Sequence, residues 1–277
     1  MQILKYQWDN SSGNWEPFFS IINENNFGKM KLINENINMI LGRKRCIGYF
    51  KDGRHVSCPE NRFIDNGWNC EECKEKDDYF LCIKCNGSKC INEKQRDGCI
   101  KNNYYIYLAA FDSILKVGIS FQFRLLNRFI EQGADFAASI AMVKDGMEAR
   151  KIESLIKERL NIIDKVNGIQ KRIFGDPNKS IKNIITSISK LKEIDEIRSY
   201  MIKPDIYNLS SYYKLPNIDY EPRFINIKDN IEIEGKIVAA KGPLILIEDD
   251  ELFSINAHSM IGRDVIFKDM PLKKFLH

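Results

Sequence analysis

The spacing of apolar positions changes abruptly near residue 104, where an irregular and polar stretch gives way to regular elements. Residues 104–110 and 114–119 are short apolar runs separated by a turn, so they predict a β-hairpin. The pattern that follows predicts a helix, a buried strand and a second helix, over residues 121–132, 136–143 and 146–160. The predicted order is therefore strand, strand, helix, strand, helix.

Both predicted helices carry an apolar face. In the first helix four residues fall near one face: Phe123, Leu126, Phe129 and Ile130. Gly133 follows this helix, in the position where a left-handed residue commonly ends one. In the second helix the same spacing is found at Ile152, Leu155, Ile156 and Leu160.

The flanking segments follow other patterns. Residues 1–45 look like short strands and turns, and residues 179–201 repeat isoleucine and leucine every three or four positions, as a helix does. Three prolines among several tyrosines make residues 203–223 an expected ordered linker. Residues 224–269 alternate apolar and polar side chains between frequent turn signals, which predicts a small antiparallel barrel or sheet.

Length and composition fit a globular protein made of several small modules. The chain has 277 residues, of which 44% are hydrophobic and 29% charged, so it can bury a substantial core. We predict an α+β protein with five parts: an N-terminal β segment, a cysteine-rich zinc-binding module, a central ββαβα domain, a helix with a linker, and a small C-terminal β domain. Their expected bounds are 1–45, 46–102, 103–175, 176–223 and 224–277.

Charge and targeting signals constrain partners and location only loosely. The net charge of +4 permits nucleic-acid binding without arguing for it. The N-terminus lacks the sustained apolar run of a signal peptide, and no stretch approaches the roughly 20 apolar residues that span a bilayer. We therefore expect a cytoplasmic protein without a membrane partner, and the sequence leaves its oligomeric state open.

All eight cysteines lie between residues 46 and 99, in a stretch too polar to bury a core of its own. The strongest signal is a pair of CxxC turns, which can offer four thiolates to one tetrahedral zinc ion: Cys70, Cys73, Cys82 and Cys85. The other four could form a second site, and His55 could replace one of these ligands: Cys46, Cys58, Cys90 and Cys99. A cytoplasmic location disfavours disulfides, whereas an iron–sulfur cluster uses the same ligands and stays open. The sequence thus predicts one or two structural zinc ions without dividing the ligands between them.

The predicted hairpin carries the motifs YIY and KVG, and the two helices after it carry arginine and glutamate in that order. In this arrangement residues 104–160 resemble the GIY-YIG nuclease superfamily. The resemblance implies metal-dependent hydrolysis of phosphodiester bonds in DNA or RNA. In that superfamily a tyrosine on each of the first two strands faces the active cleft, an arginine on the next helix contacts the scissile phosphate, and a glutamate on a later helix holds a divalent metal.

The hairpin matches the superfamily in part. By this resemblance Tyr107 takes the place of the first tyrosine, and Gly118 that of the glycine in the second motif. Lys116 stands where the second tyrosine is expected. A lysine could serve as a base only if burial lowers its pKa, so the usual proton route is altered.

The two helices supply the charged residues. Arg128 is the preferred phosphate ligand, with Arg124 one turn before it as the alternative. Glu153 is the preferred ligand for magnesium or manganese, with Glu148 as the fallback. The structural alternative is that the tyrosines only pack a core, and that Arg128 and Glu153 are surface ion-pair partners.

The cysteine pairs, the central motifs and the late segment EGKIVAAKGPLILI together also resemble a microbial family of domain-of-unknown-function proteins, which supplies no activity. Three functions therefore remain open. The first is a metal-dependent nuclease with structural zinc. The second is a non-catalytic, zinc-containing protein that binds nucleic acid through a repurposed nuclease-like domain. A protein–protein scaffold is a third.

Overall fold

The chain forms two compact units in a computed structural model. The structure describes four stretches: 1–11, 13–24, 26–163 and 165–268. Unit 1 contains Met1–Asp78 together with the described part of Tyr212–His277, and unit 2 is Tyr79–Ser211. The end of the predicted C-terminal part, residues 269–277, lies outside the described residues. Across the described stretches, no helix has both the length and the apolar character needed to cross a bilayer.

Unit 1 is built on a nine-stranded sheet to which both ends of the chain contribute. Its first strands are β1 (Gln2–Asp9), β2 (Glu16–Asn23), β3 (Asn26–Lys31) and β4 (Asn36–Lys44). Its last strands are β11 (Arg223–Ile225), β12 (Ile231–Lys241), β13 (Leu244–Glu248), β14 (Leu252–Asn256) and β15 (Arg263–Phe267). The strand order is β11-β14-β13-β12-β4-β15-β1-β2-β3.

This sheet is open. The sequence predicts either a barrel or a sheet for residues 224–269, and the structure has the sheet. The C-terminal strands do not close on themselves because they pair with N-terminal strands. β12 lies antiparallel to β4, and β15 lies between β4 and β1. Buried Ile37, Met39 and Leu41 alternate along β4 with more exposed residues, as expected for a strand with one face on a core. The predicted first and last parts of the chain thus share one sheet.

A small cysteine-bearing substructure completes the description of unit 1. It contains the two-stranded hairpin β5 (Tyr49–Lys51) and β6 (Arg54–Val56), followed by the short helix α1 (Glu71–Lys76).

Unit 2 is built on a four-stranded antiparallel sheet in the order β10-β9-β7-β8. Its strands are β7 (Tyr104–Phe111), β8 (Ile114–Phe121), β9 (Phe136–Val143) and β10 (Met201–Asn208). Its helices are α2 (Phe80–Lys84), α3 (Arg96–Ile100), α4 (Leu125–Gln132), α5 (Gly146–Leu160), α6 (Pro177–Lys192) and α7 (Asp195–Arg198). A short helix α8 (Ser210–Tyr213) follows β10. The predicted order strand, strand, helix, strand, helix is confirmed.

The two faces of this sheet pack against different helices. Ile106 and Leu108 of β7 lie in a core shared with Ile152 of α5 and Ile184 of α6. Tyr107 points to the opposite face, because neighbouring side chains of a strand alternate, and it contacts α4. The sheet therefore separates the α5–α6 pair from α4.

Two element predictions are corrected. The helix predicted over 179–201 ends at Lys192, and strand β10 begins where a helix end and a linker were expected. Pro204 is tolerated in β10 because the strand lies at the sheet edge and its register shifts between Met201 and Asp205. Phe123 was placed on a buried helix face but is 79% exposed, since α4 begins only at Leu125 after a 3-10 turn.

Candidate functional site: a thiolate cluster and a cationic cleft

Four cysteines of unit 1 bring their sulfurs together: Cys46, Cys58, Cys70 and Cys73. Their Sγ atoms all lie within 4.8 Å of one another, and those of Cys58 and Cys70 are 4.0 Å apart. In a tetrahedron with zinc–sulfur bonds of about 2.3 Å, the sulfurs are about 3.8 Å apart. The spacing and the ligand type therefore fit a metal ion such as zinc, held at a site of four protein ligands.

The local fold explains how these cysteines meet. Cys46 precedes the β5–β6 hairpin and Cys58 follows it, while Cys70 directly precedes α1 and Cys73 lies in the helix. The backbone N–H groups of Cys70 and Gly48 lie 3.1 and 3.4 Å from the Cys46 sulfur. Gly48 reaches this position with a left-handed backbone, φ +87°. Donors aimed at a sulfur stabilise its thiolate form, which is the form that binds metal.

This grouping differs from the one that sequence spacing favoured. Cys70 and Cys73 share a cluster with Cys46 and Cys58, whereas Cys82 and Cys85 belong to unit 2. His55 is not a member of this cluster, and its Nε2 lies 2.5 Å from the carbonyl oxygen of Ile47.

The other four cysteines line one cavity of about 740 Å³ in unit 2: Cys82, Cys85, Cys90 and Cys99. Their sulfurs do not form a compact set of metal ligands like the unit 1 cluster, which is the one such set among the described residues. Asn92 Nδ2 donates to the Cys82 sulfur over 3.2 Å, and Arg96 Nη1 lies 3.7 Å from the Cys99 sulfur. Burial raises the pKa of the Cys82 thiol, and the charges of the other three cysteines add to the rise.

Tyr107 occupies the other face of the unit 2 sheet and is buried. Its hydroxyl oxygen accepts a hydrogen bond of 2.8 Å from Gln132 Nε2, and its ring meets that of Phe129 edge-on with centroids 5.1 Å apart. Gly118 pairs with it across the hairpin. A Cβ at Gly118 would lie 2.5 Å from the tyrosine hydroxyl oxygen, so the ring fits only beside a glycine.

Charges from two helices act on this hydroxyl. Burial raises the pKa of Tyr107, while the positive charge of Arg128 and hydrogen bonds from Gln132 and Arg128 act to lower it. The negative charge of Glu153 acts to raise it. Arg128 on α4 and Glu153 on α5 thus both act electrostatically on this hydroxyl, although α5 packs against the other face of the sheet.

Both charged residues have an ion-pair partner. The Glu153 carboxylate is mostly buried and lies 2.8 Å from Arg150 Nη1. Arg128 is half-exposed and lies 3.8 Å from Glu131, whose carboxyl has a pKa raised by burial against the opposing effect of Arg124 and Arg128. Arg124, Arg128 and Arg150 line the same cavity as the four unit 2 cysteines. We call this cavity the cationic cleft.

Lys116 and Glu148 occupy different surroundings. Lys116 is buried on β8 and pairs with Ala109, which places it on the sheet face of Tyr107. Glu148 accepts a hydrogen bond from Tyr200, and this bond raises the pKa of the Tyr200 hydroxyl. The fallback metal ligand is thus engaged with a tyrosine.

Three aromatic rings form a stack beside the cleft. Tyr104 and Phe121 line the cavity with ring centroids 4.8 Å apart. Phe121 stacks in turn on the exposed ring of Phe123, at 5.5 Å and an angle of 8°. We call Tyr104, Phe121 and Phe123 the aromatic stack.

Sequence reasoning missed the hydrogen bond of Gln132, the pairing of Arg150 with Glu153, and the aromatic stack. Arg150 could have been found, because it stands three positions before Glu153 on one helix. Gln132 gave no signal, since its role depends on how α4 lies on the sheet.

A protein family described as "protein of unknown function (DUF2797)" matches residues 36–265. No curated protein and no solved structure matches the chain.

Proposed function

The chain belongs to the DUF2797 family of proteins of unknown function, and we propose that it is a metal-dependent phosphodiesterase that cleaves DNA or RNA and carries structural zinc. The observation that supports this most is the cleft lined by Arg124, Arg128 and Arg150, with the Glu153 carboxylate 2.8 Å from Arg150. Hydrolysis of a phosphodiester needs a proton acceptor, a cation for the charge that develops on phosphate, and a metal for the leaving oxygen.

Arg128 is the residue that meets the phosphate. Its side chain is 47% exposed and lines the cationic cleft together with Arg124 and Arg150. A guanidinium offers paired N–H donors to phosphate oxygens and stays charged at any physiological pH. Three such groups lining one cleft suit a polyanion.

Tyr107 holds Arg128 in place and provides a proton-transfer group. Its oxygen accepts a hydrogen bond from Gln132 Nε2, and the positive charge of Arg128 acts on the same hydroxyl. Lys116, on the same sheet face, stands for the second tyrosine of the superfamily that the hairpin resembles.

Glu153 is the residue that would hold a divalent ion. Magnesium usually keeps several waters and is bound by one or two carboxylates plus the phosphates of the substrate, so a single glutamate beside a phosphate-binding wall fits. Bound there, magnesium or manganese would stabilise the leaving oxygen. The ion and Arg150 would share the Glu153 carboxylate.

The aromatic stack supports a nucleic-acid ligand. Bases stack on exposed aromatic rings, and arginines next to such rings pair with the backbone phosphates. Phe123 presents an exposed ring within the same stack as Tyr104 and Phe121, which line the cleft.

The test is cleavage of labelled single- and double-stranded DNA and RNA in the presence of magnesium or manganese. We expect Arg128→Ala and Glu153→Ala to lower the rate by about 100-fold or more. Arg159→Ala is the matched control, because Arg159 also lies on α5 but pairs with Glu196 and is absent from the cleft lining. Cleavage that persists with Arg128 and Glu153 both replaced contradicts the assignment.

A non-catalytic nucleic-acid-binding protein is the second candidate. Two observations favour it: lysine in place of the second tyrosine, and the ion pair that occupies Glu153. Under this reading the wild-type chain binds the oligonucleotides but leaves them intact in both metals.

A further inference from the structure

Residues 79–103 form the part of unit 2 with the weakest apolar packing. Helices α2 and α3 and the 3-10 turn Glu93–Gln95, all of which the structure describes, contain no buried residue. Four large apolar side chains of this segment are exposed: Leu81, Ile83, Ile91 and Ile100. A segment that buries so little apolar surface needs another source of stability.

In place of buried apolar residues, this segment carries four cysteines. Cys82 and Cys85 lie on one tight turn, in which the Cys85 N–H bonds the Cys82 carbonyl oxygen. Cys90 and Cys99 line the same cavity. Donors already lie at two of the sulfurs, from Asn92 at 3.2 Å and from Arg96 at 3.7 Å. Four thiols around one cavity are the ligand set of a structural zinc site.

The segment is also fitted closely to the start of α5. A Cβ at Gly146 would lie 2.6 Å from the Cys99 sulfur, and a Cβ at Gly87 would lie 2.5 Å from the carbonyl oxygen of Met147. Arg96 donates two hydrogen bonds, of 2.7 and 2.6 Å, to Asp145, whose side chain caps α5. These contacts place the cysteine loops directly against the start of α5.

We propose that Cys82, Cys85, Cys90 and Cys99 bind a second zinc ion, which fastens residues 79–103 to the N-terminal end of α5. Because these sulfurs do not form a compact set of ligands like the unit 1 cluster, the loops must move inward to bind the ion. The second ion is therefore released first by a chelator. The proposal does not depend on phosphodiesterase activity, although α5 also carries Glu153.

The test is the metal content of the purified full-length chain, measured by mass spectrometry of the metals. We expect two zinc ions per chain in the wild type and one in Cys82→Ser and in Cys90→Ser. Cys46→Ser also loses one ion, but from the unit 1 cluster. Lys89→Ala is the matched control, because it changes the loop between Cys85 and Cys90 without touching a thiol, and it keeps both ions. In a chelator titration the early release phase is present in the wild type and absent in Cys82→Ser.

Cobalt(II) provides a readout that needs no variant, since tetrathiolate cobalt absorbs visible light. Titration of the metal-free wild-type chain is expected to saturate at two equivalents of cobalt. Saturation at one equivalent overturns the proposal. It is also overturned by a zinc content that Cys82→Ser and Cys90→Ser leave unchanged, or by iron with acid-labile sulfide in place of the second zinc.

Discussion

Replacing Tyr107 with Phe removes one oxygen atom from the centre of the candidate site. The ring and its contact with Phe129 stay, and the hydrogen bond from Gln132 Nε2 is lost. The same nitrogen also donates to the Arg128 carbonyl oxygen over 2.9 Å, so it keeps one acceptor. A lost buried hydrogen bond costs about 0.5–1.5 kcal/mol, and the retained acceptor argues for a cost of about 1 kcal/mol in the free energy of unfolding.

The effect on activity should be far larger than the effect on stability. If the hydroxyl positions Arg128 and transfers a proton, its loss should slow cleavage by about 100- to 10,000-fold. A change of about 1 kcal/mol in stability leaves the chain folded, so unfolding cannot account for such a loss.

Two probes separate the units in this experiment. All three tryptophans lie in unit 1, so their fluorescence reports that unit, whereas far-ultraviolet circular dichroism reports both. Tyr6→Phe is the matched control, because the Tyr6 hydroxyl is buried in unit 1 and donates to the Gly242 carbonyl oxygen over 2.6 Å. It should lower stability by a similar amount, shift the fluorescence transition in urea, and leave cleavage unchanged. A Tyr107→Phe variant that cleaves at the wild-type rate refutes the reasoning.

Two further predictions concern residues that contact the lining of the cleft. Phe123→Ala should lower the affinity for a single-stranded oligonucleotide by about 1–3 kcal/mol and change stability by less than about 0.5 kcal/mol, because the ring is exposed. Fluorescence anisotropy measures this, with exposed Ile185→Ala as the control, and equal affinities for wild type and Phe123→Ala contradict it. The hydrogen bond from Arg96 holds the pKa of Asp145 below its usual range. The Asp145–Arg96 pair therefore contributes to the free energy of unfolding at neutral pH. This contribution is lost as the pH falls below about 4, towards the lowered pKa that Asp145 has in the folded state. Urea unfolding at pH 5 to pH 2.5 should show a shallower loss of stability in Asp145→Asn than in the wild type; parallel curves would argue against this pairing.

The elements that sequence predicted well are those decided by neighbours along the chain. The hairpin, strand β9 and helix α5 have strong local periodicity, and Gly133 ends α4 with the left-handed backbone expected there. The motifs place Tyr107 and Gly118 on paired strands. Their close packing follows from the register of those strands, in which the two residues are direct partners.

The features that sequence could not supply depend on contacts between distant residues. The pairing of β4 with β12 joins Leu41 to Ile231, which no local pattern reveals. The cysteine grouping depends on the β5–β6 hairpin, which brings Cys46 and Cys58 to Cys70 although Cys82 is closer to Cys70 in sequence than Cys46 is. Helical periodicity placed Phe123 on a buried face, because a 3-10 turn and an α-helix look alike over three residues.

The most direct measurement is the rate of product formation from labelled DNA and RNA, by the wild type and by Glu153→Gln at equal zinc content. This substitution removes the charge that would hold magnesium or manganese and keeps the size of the side chain. We predict cleavage by the wild type that requires the added metal, and a rate about 100-fold or more lower in the variant. Equal cleavage by the two proteins, or none by the wild type in either metal, would contradict it.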